Sequence, residues 1–167
     1  TEDTLGRSTP HGTVIGFMRA VDQENYELAV DYLDTRHSAK SARQLARNLL
    51  FVLDRGLSTT IPRLSKRPEG NLDDDLPPNH EKIGVVKTES GAYDIVLNRV
   101  QRGNEPPIWL FSAQTLRHVP ETYEELSDAG VEKYLPRWLV ETRIFGSPAW
   151  RWLTLILGLP LSFLIAW

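Results

Sequence analysis

The chain has 167 residues, 41% hydrophobic and 25% charged, with a formal net charge of −3 and no cysteine. That suffices for one compact domain plus an appendage. It gives no ground for a nucleic-acid partner and excludes disulfide, thiolate and zinc–thiolate chemistry. The opening "TEDTLGR" shows no signal peptide, and a start without methionine is consistent with a processed or cropped chain.

Residues 9–33 read as two helices. Thr9 is placed to cap the first, and Pro10 suits its first turn. Val14, Phe17, Met18 and Val21 then fall at i, i+3, i+4 and i+7, one apolar face. "DQEN" interrupts the pattern, and Leu28, Ala29, Tyr32 and Leu33 restart it on a second helix, an αα-hairpin. Residues 39–57 carry the strongest helical pattern. Ser41 and Gln44 fit a capping box, and Leu45, Leu49, Val52 and Leu53 form the stripe to be buried. Arg43, Arg47, Asn48 and Asp54 lie largely away from it, and Gly56 suits the left-handed residue just past the helix end.

"STTIPRLSKRPEGNLDDDLPPNHEK", with four prolines, is long for a connection inside a compact domain, so it is a mobile surface loop or includes a short helix. Three strands follow: "KIGVVKT", then "AYDIVLNRVQ" with Tyr93, Ile95 and Leu97 on one face and Asp94 and Asn98 opposite, then "IWLFS". The short turns "ESG" and "RGNEPP" make them an antiparallel meander. "SAQTLRHV" and "PETYEELSDAG" read as two helical segments, the second begun by Pro120. "VEKYLPRWLVETRIFG" is mixed and broken at Pro136. Helices followed by a meander predict an α+β fold, with the long third helix lying across the apolar face of a curved sheet.

Catalytic signatures are lacking. His11, His37, His80 and His118 include no pair at metal-ligand spacing, and solvent exposure is the expectation for each. Asp73, Asp74 and Asp75 lack the glycine turn of a calcium loop and read as a solvated acidic stretch. Arg63, Lys66 and Arg67 suit a soluble loop, with anionic headgroups as the alternative. Ser58, Thr59, Thr60 and Ser112 have no nucleophile elbow around them, no glycine-rich loop follows a strand, and Asp31 with Asp34 is a routine helix-face pair. Neither cofactor nor metal is expected, and the chain reads as no enzyme. Tyr26, Tyr93 and Trp109 either line a small-ligand pocket in the open end of an α+β cone or fill its core; core filling is the expectation.

The carboxy-terminal "GSPAWRWLTLILGLPLSFLIAW" has no charge from Trp152 onward and no polar face, the character of a membrane helix. Its six leucines, two isoleucines and one phenylalanine together favour insertion by roughly −4 to −5 kcal/mol. Trp150, Arg151 and Trp152 suit the membrane interface, where the tryptophans sit in the headgroup belt and the arginine snorkels. Sixteen residues rise only about 24 Å, so the run is expected to be the start of a longer span. The expected organisation is a soluble α+β domain over 1–130, a juxtamembrane connector over 131–147 and a transmembrane helix beginning at 148–167.

Four phrases in order, "LGRSTPHGTVIGFMRAVDQENYELAVDYLDT", "ARQLARNLLFVLDRGL", "WLFSAQTLRHVPETYEEL" and "LPRWLVETRIFGSPAWRWLTLILGLPLSFLIAW", resemble the amino-terminal extension of bacterial small-conductance (MscS-type) mechanosensitive channels. "FMRAVDQENYELAVDYL" is also similar to the start of cone-shaped nuclear-transport-factor-like (SnoaL-like) domains. The resemblance implies an extracytoplasmic domain ahead of the first membrane span, in the inner membrane, with residues 1–147 in the periplasm. The bilayer would be its partner, and homo-oligomerisation would run through a channel region that this sequence does not contain. Assembly or modulation of gating is the implied role. A membrane-tethered domain for a small-molecule ligand is the alternative. Lys133, Arg137, Arg143 and Arg151 flank the near side of the span, a bias that ordinarily marks the cytoplasmic face. A large folded domain led by an upstream signal overrides that bias.

Overall fold

A computed structural model describes residues 3–56, 64–73, 76–88, 90–132, 143–144 and 147–148. The chain divides into two compact units, Thr1–Leu126 and Ser127–Trp167. The first unit is α+β, with helices packed on a three-stranded antiparallel sheet.

Helix α1 (Pro10–Asp22) starts as its sequence dictates. The Thr9 side chain accepts from the Gly12 N–H at 3.0 Å, and Pro10 occupies the first turn. Val14, Phe17 and Val21 are buried and Met18 is half-buried against them. Helix α2 (Tyr26–Val30) is capped by the Asn25 side chain, which accepts from the Leu28 N–H at 3.1 Å. It ends before Tyr32 and Leu33, which are buried in a turn and an isolated bridge to Phe111 rather than in the helix. Gly16 is needed where α1 meets this turn, because a Cβ there would stand 2.5 Å from the Tyr32 hydroxyl.

Helix α3 (Ala39–Gly56) buries the expected stripe of Leu45, Leu49, Val52 and Leu53. The capping box at Ser41 is not formed. The helix already runs at Ala39, and Gln44 donates instead to Asn48 at 2.9 Å. Gly56 is the last helical residue rather than the one beyond it.

The meander comprises β1 (His80–Thr88), β2 (Gly91–Val100) and β3 (Ile108–Phe111), in that order and antiparallel throughout. Ile95 and Leu97 of β2 point into the core with Tyr93 half-buried beside them, as their alternation requires. Strand β1 needs a correction to do the same. Its register shifts between Lys82 and Gly84, so that Glu81 and Ile83 face inward before the shift and Val86 after it. Unbroken alternation would turn Lys87 into the core, and the bulge at Ile83 prevents that.

Helix α4 (Ala113–Glu132) is one helix where two segments are predicted, with Pro120 inside it. Proline there forgoes one bond to the carbonyl four residues back and leaves the rest of the ladder intact. Burial of Leu116 and Val119 holds the first turns against the core. Ser112 caps this helix, its hydroxyl accepting from the Thr115 N–H at 3.1 Å. The Thr115 hydroxyl in turn accepts from Val96 N–H at 2.9 Å and fastens the helix start to β2.

In the second unit, β4 (Arg143–Ile144) and β5 (Ser147–Pro148) pair antiparallel. Trp150, Arg151, Trp152 and the apolar run to Trp167 lie outside the described residues, as does most of the connector over 131–147. Among the described residues no helix is long and apolar enough to cross a membrane.

Candidate functional site

The three aromatic residues weighed as pocket lining do not share a pocket. Trp109 is wholly buried at the centre of the first unit, beside Phe17 and Phe111, whose rings meet edge-on with centroids 5.0 Å apart. Tyr93 lies on the sheet, 5.1 Å from the His118 ring. Tyr26 lies on the outside of α2 under the Arg47 guanidinium, 4.3 Å from its centroid.

Trp109 is gripped by the connection that reads as a loop. Its indole N–H donates to the Pro68 carbonyl at 3.0 Å, its backbone N–H to Arg7 at 2.7 Å, and its carbonyl accepts from the Thr13 hydroxyl at 3.0 Å. Residues 64–71 wrap over it with Leu64 buried, while Lys66 and Arg67 face solvent. The wrap is fixed by Glu81, 3% exposed, whose two carboxylate oxygens accept from the backbone N–H groups of Ser65 (3.2 Å) and Asn71 (2.6 Å). Gly70 (φ +84°) passes so close that a Cβ would stand 2.8 Å from the Trp109 ring and 3.0 Å from Glu81. Sequence reasoning missed Glu81. It falls in the stretch that reads as a loop, one residue before the expected strand begins at Lys82, and nothing local there marks one carboxylate as buried.

Tyr93 and Tyr32 both have hydroxyl pKa values raised above 10.0, chiefly by burial. The Thr122 hydroxyl opposes the shift at Tyr93, and the Glu125 charge adds to it. The well-formed bond of Thr122 is the 2.8 Å one it donates to the His118 carbonyl, so burial governs at Tyr93. At Tyr32 the Arg7 charge opposes burial, and the hydroxyl donates to the Leu5 carbonyl at 3.0 Å.

The histidines are dispersed over the fold. His37 and His118 are exposed. His11 and His80 are half-buried, the latter bonded to Asn79 at 2.9 Å. Among the described residues no group of three or more His, Asp or Glu side chains is placed to hold a metal ion. Asp73 is exposed; Asp74, Asp75, Arg63, Ser58, Thr59 and Thr60 lie outside the described residues.

The surface feature with most chemistry runs along α3. Three hollows of about 410, 640 and 630 Å³ join end to end, sharing His37 between the first two and Lys40 and Gln44 between the last two. Leu45 and Pro120 supply an apolar floor in the middle hollow. Arg36, Lys40, Arg43, Arg47 and Arg117 line the furrow against Glu24, Glu27 and Asp34. Arg43 pairs with Glu27 at 2.7 Å, whereas Arg36 and Lys40 make no ion pair among the described residues. The trough is open and charged, and it is lined by α3 together with α2, the turns at 23–25 and 34–37 and the start of α4.

Compared with family models, curated proteins and solved structures, this chain has no match.

Proposed function

We propose that the Thr1–Leu126 unit is a non-catalytic assembly and gating-modulation module, preceding the first membrane span of a small-conductance mechanosensitive-type channel. The observation that supports the module reading is where the bulk lies: Trp109, Phe17, Phe111, Leu49 and Ile95 are fully buried in one apolar core, while the hollows along α3 are at the surface and charged. A domain with a solid core and a charged surface trough acts through its surface. The channel context rests on the four phrases that resemble the amino-terminal extension of that family and on the uncharged run from Trp152 to Trp167. Trp150, Arg151 and Trp152 would sit at the bilayer interface of an inner-membrane protein whose residues 1–147 face the periplasm.

A tension-gated channel is opened by the membrane, and a domain outside the bilayer biases gating only through contacts that differ between the closed and open states. Expression of the complete protein in cells stripped of their own channels tests this. Survival of osmotic downshock with tension-activated currents in patches is the expected result, and background levels of both would sink the channel reading. Labelling Arg102→Cys in intact cells with a membrane-impermeant maleimide is expected to succeed. Labelling only after the inner membrane is breached would place the domain on the cytoplasmic side.

A further inference from the structure

Helix α4 is held by different kinds of contact on the two sides of Pro120. Ahead of the proline the hold is buried. Leu116 and Val119 are in the core, and the Thr115 hydroxyl accepts from the Val96 N–H at 2.9 Å. Beyond it the hold lies at the surface. The Ser90 hydroxyl, at the β1–β2 turn, donates to Glu125 at 2.6 Å in an exposed bond. Half-buried Tyr123 meets the half-buried Phe51 ring of α3 edge-on, with centroids 4.8 Å apart, and Leu126 is only partly buried. Thr122 is buried, but its hydroxyl donates to the His118 carbonyl of its own helix.

The turn between these regions is weakened twice. Pro120 has no N–H for the Leu116 carbonyl, and its ring crowds that carbonyl. The Thr122 hydroxyl draws on the His118 carbonyl at 2.8 Å, a back-bond that slightly destabilises and bends helices. The Tyr93 ring lies 5.1 Å from that of His118, yet its buried hydroxyl has no hydrogen-bond partner among the described residues, so it does not offset the loss. Helix α4 is also the described element on which the chain leaves the first unit, whose boundary follows Leu126. A force or contact acting on the chain beyond Leu126 meets the surface hold before the buried one.

We infer that Pro120 is a hinge and residues 121–126 a latch, which lifts from the β1–β2 turn and from α3 as one unit while residues 113–119 stay on the core. Such a low-stability segment inside a stable domain is the kind of element from which conformational switches are drawn. The hinge rests on the fold alone. Its use as the route by which the domain biases gating rests on the function proposed above. Coupling then requires that the engaged and the released latch suit the closed and open states unequally.

Residue-resolved amide exchange on the full chain in lipid nanodiscs tests the hinge. Exchange is expected to be about tenfold faster at residues 122–126 than at residues 116–119. Pro120→Ala returns an N–H to the Leu116 carbonyl and should slow the faster block about tenfold. Ser90→Ala with Tyr123→Ala should speed that block about tenfold and leave residues 116–119 unchanged. The chain has no cysteine, so Ser90→Cys and Glu125→Cys can be bridged selectively with dibromobimane. The bridge should bring the two blocks to one rate. Equal rates in the unaltered chain, latch variants that speed both blocks alike, or no slowing in Pro120→Ala would overturn the hinge, because α4 then opens as one piece. In patches the same bridge is expected to shift the tension threshold. A two-rate exchange pattern with an unmoved threshold removes the use in gating. Background currents remove the channel reading and leave the hinge standing.

Discussion

Glu81 and Glu27 show two uses of the same side chain. Glu81 is buried in the clasp around Trp109 and accepts from the backbone N–H groups of half-buried Ser65 and exposed Asn71. Glu27 sits on the rim of the furrow, largely in solvent, and pairs with half-buried Arg43 at 2.7 Å. A buried acceptor is expensive to remove because its donors stay behind unsatisfied, while an exposed ion pair exchanges readily for water. The clasp therefore weighs more on the stability of the domain than the ion pair on the rim of the furrow.

The largest expected effect lies at the centre of the clasp. Trp109→Ala should lower the stability of the first unit by about 3–5 kcal/mol in urea unfolding, since it empties the core and frees the Pro68 carbonyl together. Glu81→Ala should follow at about 2–3 kcal/mol, with Glu81→Gln intermediate because the amide keeps one acceptor oxygen. Amide exchange should quicken first at Ser65 and Asn71. If neither residue gains exchange in Glu81→Ala, the clasp is not what fixes residues 64–71. Gly70→Ala should cost about 1–3 kcal/mol, from the left-handed backbone and the contact with the Trp109 ring.

A smaller effect belongs to alkaline pH. Tyr93 and Tyr32 have folded-state hydroxyl pKa values raised above 10.0, so the unfolded chain releases these protons first as pH rises. The stability they support is present below pH 10 and falls through the window between 10.0 and the raised folded values. Tyr93→Phe should flatten that fall; an unchanged slope would show that the hydroxyl is not shielded. The smallest effect is expected in the furrow, where Arg43→Ala should change stability by less than about 0.5 kcal/mol. A cost matching that of Glu81→Ala would erase the distinction between the two regions.

Much of the architecture was legible in the chain. The Thr9–Pro10 start, the α3 stripe from Leu45 to Leu53, and the alternation of Tyr93, Ile95 and Leu97 each reflect a local period or cap, and local periods survive folding unchanged. The misreadings share a cause. Pro120 reads as a helix start because a missing N–H is least costly there, yet burial of Leu116 and Val119 carries α4 through it. Ser41 reads as a cap because its spacing to Gln44 is right, yet the helix begins at Ala39. The furrow was half-visible: its cations are on the page of any helical wheel, but its apolar floor needs Pro120, 75 residues further along than Leu45.

By itself, then, the sequence determined the class of fold, the faces of α1 and α3, the order of the meander and the uncharged character of residues 152–167, because these depend on neighbours a few positions apart. Only the tertiary structure decided that Trp109 fills the core instead of facing a ligand, that Glu81 ties down residues 64–71, and that a bulge at Ile83 turns Val86 inward and Lys87 out. Each of those depends on groups brought together from distant parts of the chain, where burial and the need to satisfy every enclosed polar group outweigh local preference.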